Sequence, residues 1–448
     1  MEEAINVKNS IFKIRSLFIL KQIFKKLDTN NFLNIIRYNK KLQTKLNINI
    51  DTYKEEIQKI EIDIVPTNTF FANLINYPMG SNFHIYINDK REELKRNYII
   101  KTDKAKKIRI AIDKELKSFC ELFKGCLDIK KIKFVKFNRD DIKDMSYMFY
   151  GCKSLEEITF PKAKTNNVKN LGHMFYECSS LKKIDLYKFN TSNIIYMNNL
   201  FEKCSSLEKI NLSNFDTNNV ISMSNMFSYC KSLKEIDVTH LRTNKIKDLS
   251  FMFYECIYLT EINISKFNTA KLEDMRYTFH KCSLLEKIKL PIFKNESTIN
   301  MSHLFSECTS LKKINFQNSK IIAVNNLDSM FSRCLNLEKL NLLNFDTNAV
   351  SDFCSMFNEC SSLKELKISN FKTSQATDMR KMFKDCSSLE KLDLSNFNVI
   401  NVVNMDGMFM NCTTLKELNI SNIFINKSNK VNFKSMFEGC RSLKNIIY

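Results

Sequence analysis

Residues 226–238 read Met226-Phe227-Ser228-Tyr229-Cys230-Lys231-Ser232-Leu233-Lys234-Glu235-Ile236-Asp237-Val238. Leu233, Ile236 and Val238 stand three, six and eight residues after Cys230. The alternation of Ile236 and Val238 is that of a short strand with one face turned inward. Just upstream, Val220, Met223, Met226 and Phe227 are spaced by threes and fours. That spacing predicts a short helical or 3₁₀ turn whose apolar stripe faces the same interior. One strand, one bend and one turn cannot bury their own apolar face, whereas stacked copies can.

The copies exist. Cysteine recurs at 126, 152, 178, 204, 230, 256, 282, 308, 334, 360, 386, 412 and 440, with eleven gaps of 26 and a last gap of 28. Only Cys120 and Cys354 fall off this lattice. The unit is MFxxCxSLxxIxLxxFxTxxVxxMxx. A fixed period of this size marks a solenoid or another repeat array.

Composition agrees with a packed array. Of 448 residues, 44% are apolar and 26% charged, enough to bury a core and unlike a disordered chain. Six Gly, four Pro and no Trp leave few places for a glycine-lined phosphate loop. No Walker-type loop, HExxH, GxSxG or catalytic Cys/His pair occurs, which argues against an enzyme. The net charge of +20 would suit nucleic acid or an anionic membrane. Without an Arg-rich or aromatic-interleaved patch it reads better as solvated lysine, and nucleic acid is not expected as a partner.

The unit with its LxxIxL strand resembles leucine-rich repeats. In full it is similar to the repeat of BspA-like leucine-rich-repeat proteins, mostly described as bacterial surface proteins, with relatives in microbial eukaryotes. The resemblance covers residues ~116–448. It implies an α/β, right-handed solenoid of about 13 repeats of 26 residues with a parallel β-sheet on one face. It also implies binding of a protein partner rather than catalysis. Where common leucine-rich repeats place an Asn ladder, this chain has Phe (Phe189, Phe215, Phe267, Phe345, Phe371, Phe397). The Thr two residues later (Thr191, Thr217, Thr243, Thr269, Thr347, Thr373) is expected to supply hydrogen bonds to the bend instead. The pattern weakens around Pro291–Ile299 and Gln317–Ile322, which predicts irregular rungs there.

Stacking turns each repeat position into a column, with rungs about 4.8 Å apart. The cysteine column reads as small buried side chains, since no CxxC occurs and the five His are not at ligand spacing. No metal and no cofactor is therefore expected. The column four after Cys alternates in charge, as in Lys130, Glu156, Lys182 and Glu208, and reads as a register lock. Five and seven after Cys the side chains should project from the exposed sheet face. The candidate partner-binding residues are Lys183, Asp185, Lys209, Asn211, Glu235, Asp237, Glu261, Asn263, Lys287, Lys289, Lys313 and Asn315. A partner on this polar face would bind in a salt-sensitive way.

The chain divides into a helical module (1–58), a β-rich cap or connector (59–115) and the solenoid (116–448). Leu17, Leu20, Ile23, Phe24, Leu27, Phe32, Leu33, Ile36 and Leu42 follow helical spacing, and their order resembles an F-box. The resemblance implies that Leu17, Leu20, Ile23, Phe24, Leu27 and Phe32 would dock on a ubiquitin-ligase adaptor while the repeats hold a substrate. An amphipathic cap, a dimerisation helix or a membrane-surface helix would show the same spacing. The start, MEEAINVKNS, is acidic, and no run of 18 apolar residues occurs. With fifteen cysteines and no export signal, an intracellular, cytoplasmic location with free thiols is expected. Three functions remain open: an interaction scaffold, a substrate receptor of a ubiquitin ligase, and a surface adhesin.

Overall fold

The computed structural model describes residues 16, 19–20, 22, 35–36, 39–47, 58–67, 71–78, 80, 82–160, 165–187, 189–295, 297–316, 323–421 and 431–447. The irregular rung expected at Gln317–Ile322 lies outside them. Helix α1 (Lys40–Leu46) opens at Asn39, whose side chain accepts the Leu42 amide, and closes at the left-handed Asn47. Six strands follow: β1 (Ile60–Pro66), β2 (Phe71–Asn73), β3 (Phe83–Ile87), β4 (Glu93–Leu94), β5 (Tyr98–Ile100) and β6 (Ile108–Ile112). The alternating isoleucines of β1, β3 and β6 are all buried. β1 pairs antiparallel with both β6 and the solenoid's first strand, β7 (Ile129–Lys136). The edge of the first rung is thereby covered, as a solenoid end requires. Arg139, only 4% exposed, ties the two parts together. Its guanidinium donates to the carbonyls of Asp113, Lys114 and Leu116 at 2.7, 2.8 and 2.6 Å.

From β7 onward the chain is a β-solenoid of about eleven turns. After β7 the strands of the main column are three residues long and sit five to seven after the lattice cysteines, except after Cys230 and Cys308, where no strand forms. They are β8 (Glu157–Thr159), β9 (Lys183–Asp185), β10 (Lys209–Asn211), β11 (Glu261–Asn263) and β12 (Lys287–Lys289). Beyond β13 (Ile299–Asn300) and β14 (Val324–Asn326), which pair in a neighbouring column, come β15 (Lys339–Asn341), β16 (Glu365–Lys367), β17 (Lys391–Asp393), β18 (Glu417–Asn419) and β19 (Asn445–Ile447). Pairing is parallel throughout and follows the 26-residue period, as in Lys209↔Lys183 and Lys339↔Glu365, except at β13/β14, where the register shifts, and at β18/β19, which pair 28 residues apart.

The expected helical turn is absent: among the described residues none after Asp103 is helical. The cause lies in the backbone. Every repeat places two residues at positive φ, five before and one before its cysteine, such as Asn225 (56°) and Tyr229 (59°). A left-handed residue interrupts a helix after three residues, leaving a chain of tight turns. Met226, Ser228 and Cys230 donate back to Met223, Asn225 and Phe227 at 3.2, 3.1 and 3.0 Å. The residues between them, Met223, Asn225, Phe227 and Tyr229, donate to the next rung at 3.0, 2.9, 2.9 and 2.7 Å. The turn column is therefore a second inter-rung ladder, and among the described residues the solenoid has no helical layer. Gly125, Gly151, Gly407 and Gly439, four of the chain's six glycines, occupy these positive-φ positions. The others carry side chains at about 1–2 kcal/mol each. Lys381→Gly, at an exposed site with φ 54°, is expected to stabilise the protein by about 1 kcal/mol in chemical denaturation.

Inside, each column is continuous. The Phe three before each cysteine stacks on its neighbours from Phe123 to Phe437, with, for example, Phe201 and Phe227 centroids 5.6 Å apart and rings within 11° of parallel. Each lattice cysteine after Cys126 donates its thiol to the carbonyl of that Phe in the preceding rung, as in Cys230 Sγ to Phe201 O at 3.2 Å. The Thr column acts as expected. Thr217 Oγ1 donates to the Arg242 carbonyl at 2.8 Å and accepts the Arg242 amide at 2.7 Å. At the irregular Pro291–Ile299 rung Phe293 stays buried, and Asn295 replaces Thr, donating to Ala323 O at 3.1 Å.

All fifteen cysteines are free, and burial pushes the column thiols upward, Cys126 to about 12. At pH 8 the native protein should therefore react slowly with thiol reagents. The half-buried Cys120 and Cys440 should label first, and all fifteen only on unfolding. Rapid native labelling at Cys204 or Cys256 would contradict this packing.

Candidate interaction surface

The strands read exposed–buried–exposed: in β9 Ile184 points inward while Lys183 and Asp185 point out. β10 and β17 repeat the pattern. The residues expected to project from the sheet therefore do so. Lys209, Glu235, Asp237, Glu261, Asn263, Lys287 and Lys289 come together around one groove of about 500 Å³, floored by Ile210, Ile236 and Ile262. Lys183 and Asp185 continue the same face one rung before the groove, and Lys313 and Asn315 one rung after it.

The two columns differ in role. Residues seven after Cys cap the strand: the Oδ1 of Asp185, Asn211, Asp237 and Asn263 accepts the amide two residues on at 2.9, 2.9, 2.9 and 3.1 Å. These side chains hold the bend as well as facing solvent. The Thr239 hydroxyl and amide keep the Asp237 carboxyl below its ordinary range, so it stays ionised. Residues five after Cys carry more of the register-locking charge than the column expected to. Lys131–Glu157, Lys339–Glu365 and Lys391–Glu417 pair across rungs at 2.8, 3.1 and 2.9 Å, and Lys209 pairs with Glu235. In the column four after Cys the pairs are Lys130–Glu156 at 3.5 Å and Glu390–Lys416 at 3.0 Å. Being exposed and screened by solvent, these pairs set register more than they add stability. Among the described residues Lys183, Glu261, Lys287, Lys289 and Lys313 form no ion pair.

Two further clusters were not foreseen. On the turn column Tyr147 stacks on His173, Tyr150 on Tyr176 and Tyr277 on His303, with centroids 4.5, 4.5 and 4.2 Å apart. Rings stacked on each other offer edges outward, so this stripe is no platform for a sugar or base. Asp328, Asp352 and Cys354 form the one group of metal-ligand type among the described residues. Arg380 Nε lies 3.1 Å from Cys354 Sγ, and His303 Nε2 lies 3.1 Å from Asp328 Oδ2. A guanidinium already supplies the positive charge there, which marks an ion network rather than a cation site.

Of the six residues with F-box-like spacing, Leu20 is described and is fully buried, so it offers no contact surface. Leu17, Ile23, Phe24, Leu27 and Phe32 lie outside the described residues. No helix among the described residues is long and apolar enough to cross a membrane.

Stacked rungs joined by short parallel strands, with polar columns on the strand face, define a leucine-rich-repeat-type solenoid. The chain belongs to the family described as Mycoplasma protein of unknown function, DUF285, whose profile matches residues 117–238, 230–340 and 325–448. No curated protein matches it. Among solved structures it is similar to a leucine-rich repeat protein from Bacteroides ovatus, at 21% identity over 75% of this chain and 82% of that one, with a TM-score of 0.38. It is also similar to a leucine-rich cell surface protein from Faecalibacterium prausnitzii, at 17% identity over 72% and 83% of the two chains, with a TM-score of 0.30.

Proposed function

We propose that this chain is a non-catalytic scaffold whose strand face receives a protein partner. The observation that carries the reading is the convergence of unpaired charged side chains from several successive rungs on one groove of that face. Such a surface favours a polar, electrostatically steered interface over an apolar one. The test compares affinity capture from source cells by the full chain and by a Lys183→Glu/Lys313→Glu variant with an unchanged circular dichroism spectrum. A partner lost with the variant, and released from the wild type as salt rises, supports the reading. Equal capture by both refutes it. We further place the protein inside the cell, because its fifteen reduced thiols suit a reducing compartment. Protease treatment of intact cells should then leave it whole.

A further inference from the structure

The strand face changes character at the rungs of Lys287 and Lys313. In the column seven after Cys, the side chains of Asp185, Asn211, Asp237 and Asn263 accept the amide two residues on. Lys289 takes that place one rung later, and an ammonium group has nothing to accept with. Lys367 also stands at this position, but it pairs with Glu365. In the column five after Cys, Lys287, Lys313 and Lys339 follow one another, the longest run of one sign in that column. Like charges on neighbouring rungs work against stacking. Lys339 is held by Glu365 at 3.1 Å, whereas Lys287 forms no ion pair even with its register partner Glu261. Three ammonium groups, those of Lys287, Lys289 and Lys313, therefore share two successive rungs without a counter-ion among the described residues. The apolar side chains are also less covered here. β12 pairs with β11 alone, and the next rung forms no strand. Ile288 and Leu290 are only half-buried, while Ile262 and Ile264 one rung earlier are 4% and 1% exposed.

Resting on the scaffold reading above, we propose that these two rungs anchor the partner by an acidic linear segment lying along the solenoid axis. Its carboxylates sit on Lys287, Lys289 and Lys313, and an apolar side chain between them covers Ile288 and Leu290. Side chains alone hold the segment. It adds no strand, because the two rungs are already stacked, with the Ser310 amide donating to the Ser283 carbonyl at 3.1 Å. Acidic groups bound the basic stretch along the axis, Asp237 and Glu261 on the earlier side and Glu365 on the later. A nucleic-acid strand, charged at every step, would run on into them, whereas a short acidic segment fits between them.

The test selects short displayed random peptides on the full chain. The wild type should enrich peptides with two or more Asp or Glu beside an apolar residue. Lys287→Gln/Lys289→Gln/Lys313→Gln should bind a selected peptide at least about tenfold more weakly. The control Lys131→Gln/Lys391→Gln/Lys416→Gln removes the same charge from lysines that are ion-paired elsewhere on the solenoid, and should bind it within about twofold of wild type. Both variants are first shown to keep the wild-type circular dichroism spectrum. Replacing the apolar residue of the peptide by Ala should weaken binding to the wild type. Peptides without carboxylates, equal weakening in the two variants, or tighter binding of a single-stranded DNA oligonucleotide through the same three lysines would overturn the proposal. If no acidic peptide is selected while the face still captures a partner in the charge-reversal test above, this inference fails and the scaffold reading stands. If neither binds, both fail.

Discussion

Phe227→Ala is expected to destabilise the full-length protein by about 3–5 kcal/mol in chemical denaturation. Phe227 is fully buried, and it stacks on Phe201 at 5.6 Å and on Phe253 at 5.5 Å. Truncation removes a ring from the middle of a continuous column. It opens a cavity between two rungs that backbone ladders hold in register, so collapse into the space is limited. Two aromatic contacts are lost as well, each worth about 0.5–1.5 kcal/mol. The effect should depend on position. Phe437 in the last described rung is only partly buried and stacks on Phe409 alone, so Phe437→Ala should cost less than half as much. Because rungs contact only their neighbours, Phe227→Ala should also broaden the transition as the two halves begin to unfold separately. Equal costs at the two positions would mean that the Phe column does not carry the stacking.

Thr217→Val should cost about 2 kcal/mol, although the two side chains are nearly isosteric. Thr217 is fully buried, and its hydroxyl both donates to and accepts from the backbone of Arg242 in the next rung. Valine keeps the packing but leaves an amide and a carbonyl without partners, each costing about 1–3 kcal/mol where water cannot reach. Water reaches part of this bend, which sets the expected value near the lower end. Thr217→Ser keeps the hydroxyl and removes one methyl, so it should cost about 0.8 kcal/mol. If serine proved worse than valine, the Thr column would be a packing feature and not a hydrogen-bonding one.

What recurs was legible in the sequence, because thirteen copies average out local noise. The period, the inward Ile or Leu of each strand, the buried thiols and the bridging Thr all follow from residue type at a fixed offset. The turn column was misread as helical because Val220, Met223, Met226 and Phe227 have helical spacing, and a chain of tight turns buries the same residues. The signal that would have distinguished them is faint: the only glycines of residues 173–447 are Gly407 and Gly439, both at positions with positive φ. Elsewhere those positions carry side chains of many kinds, from Asn and Ser to Tyr, Glu and Lys, held there by the inter-rung bonds. The sorted charges of the groove were readable as columns, but its opening was not. Glu235-Ile236-Asp237 has the same pattern as the paired Glu261-Ile262-Asn263, and the differences that flank it, such as Val238 for Ile264 and Leu241 for Phe267, keep the same inward apolar positions. Likewise the Asx role of Asp185 and Asn211 needs the bend geometry, since polarity alone suggests only exposure.

The most direct measurement is a site-specific photo-crosslinking scan in source cells, with the reactive group placed in turn at Glu235, Glu261 and Lys287 on the strand face and at Lys381 on the turn column. Adducts with one and the same protein from the three face positions, and none from Lys381, are expected. Adducts from Lys381 alone, or none from the face at any salt concentration, would contradict the assignment of the strand face as the binding surface.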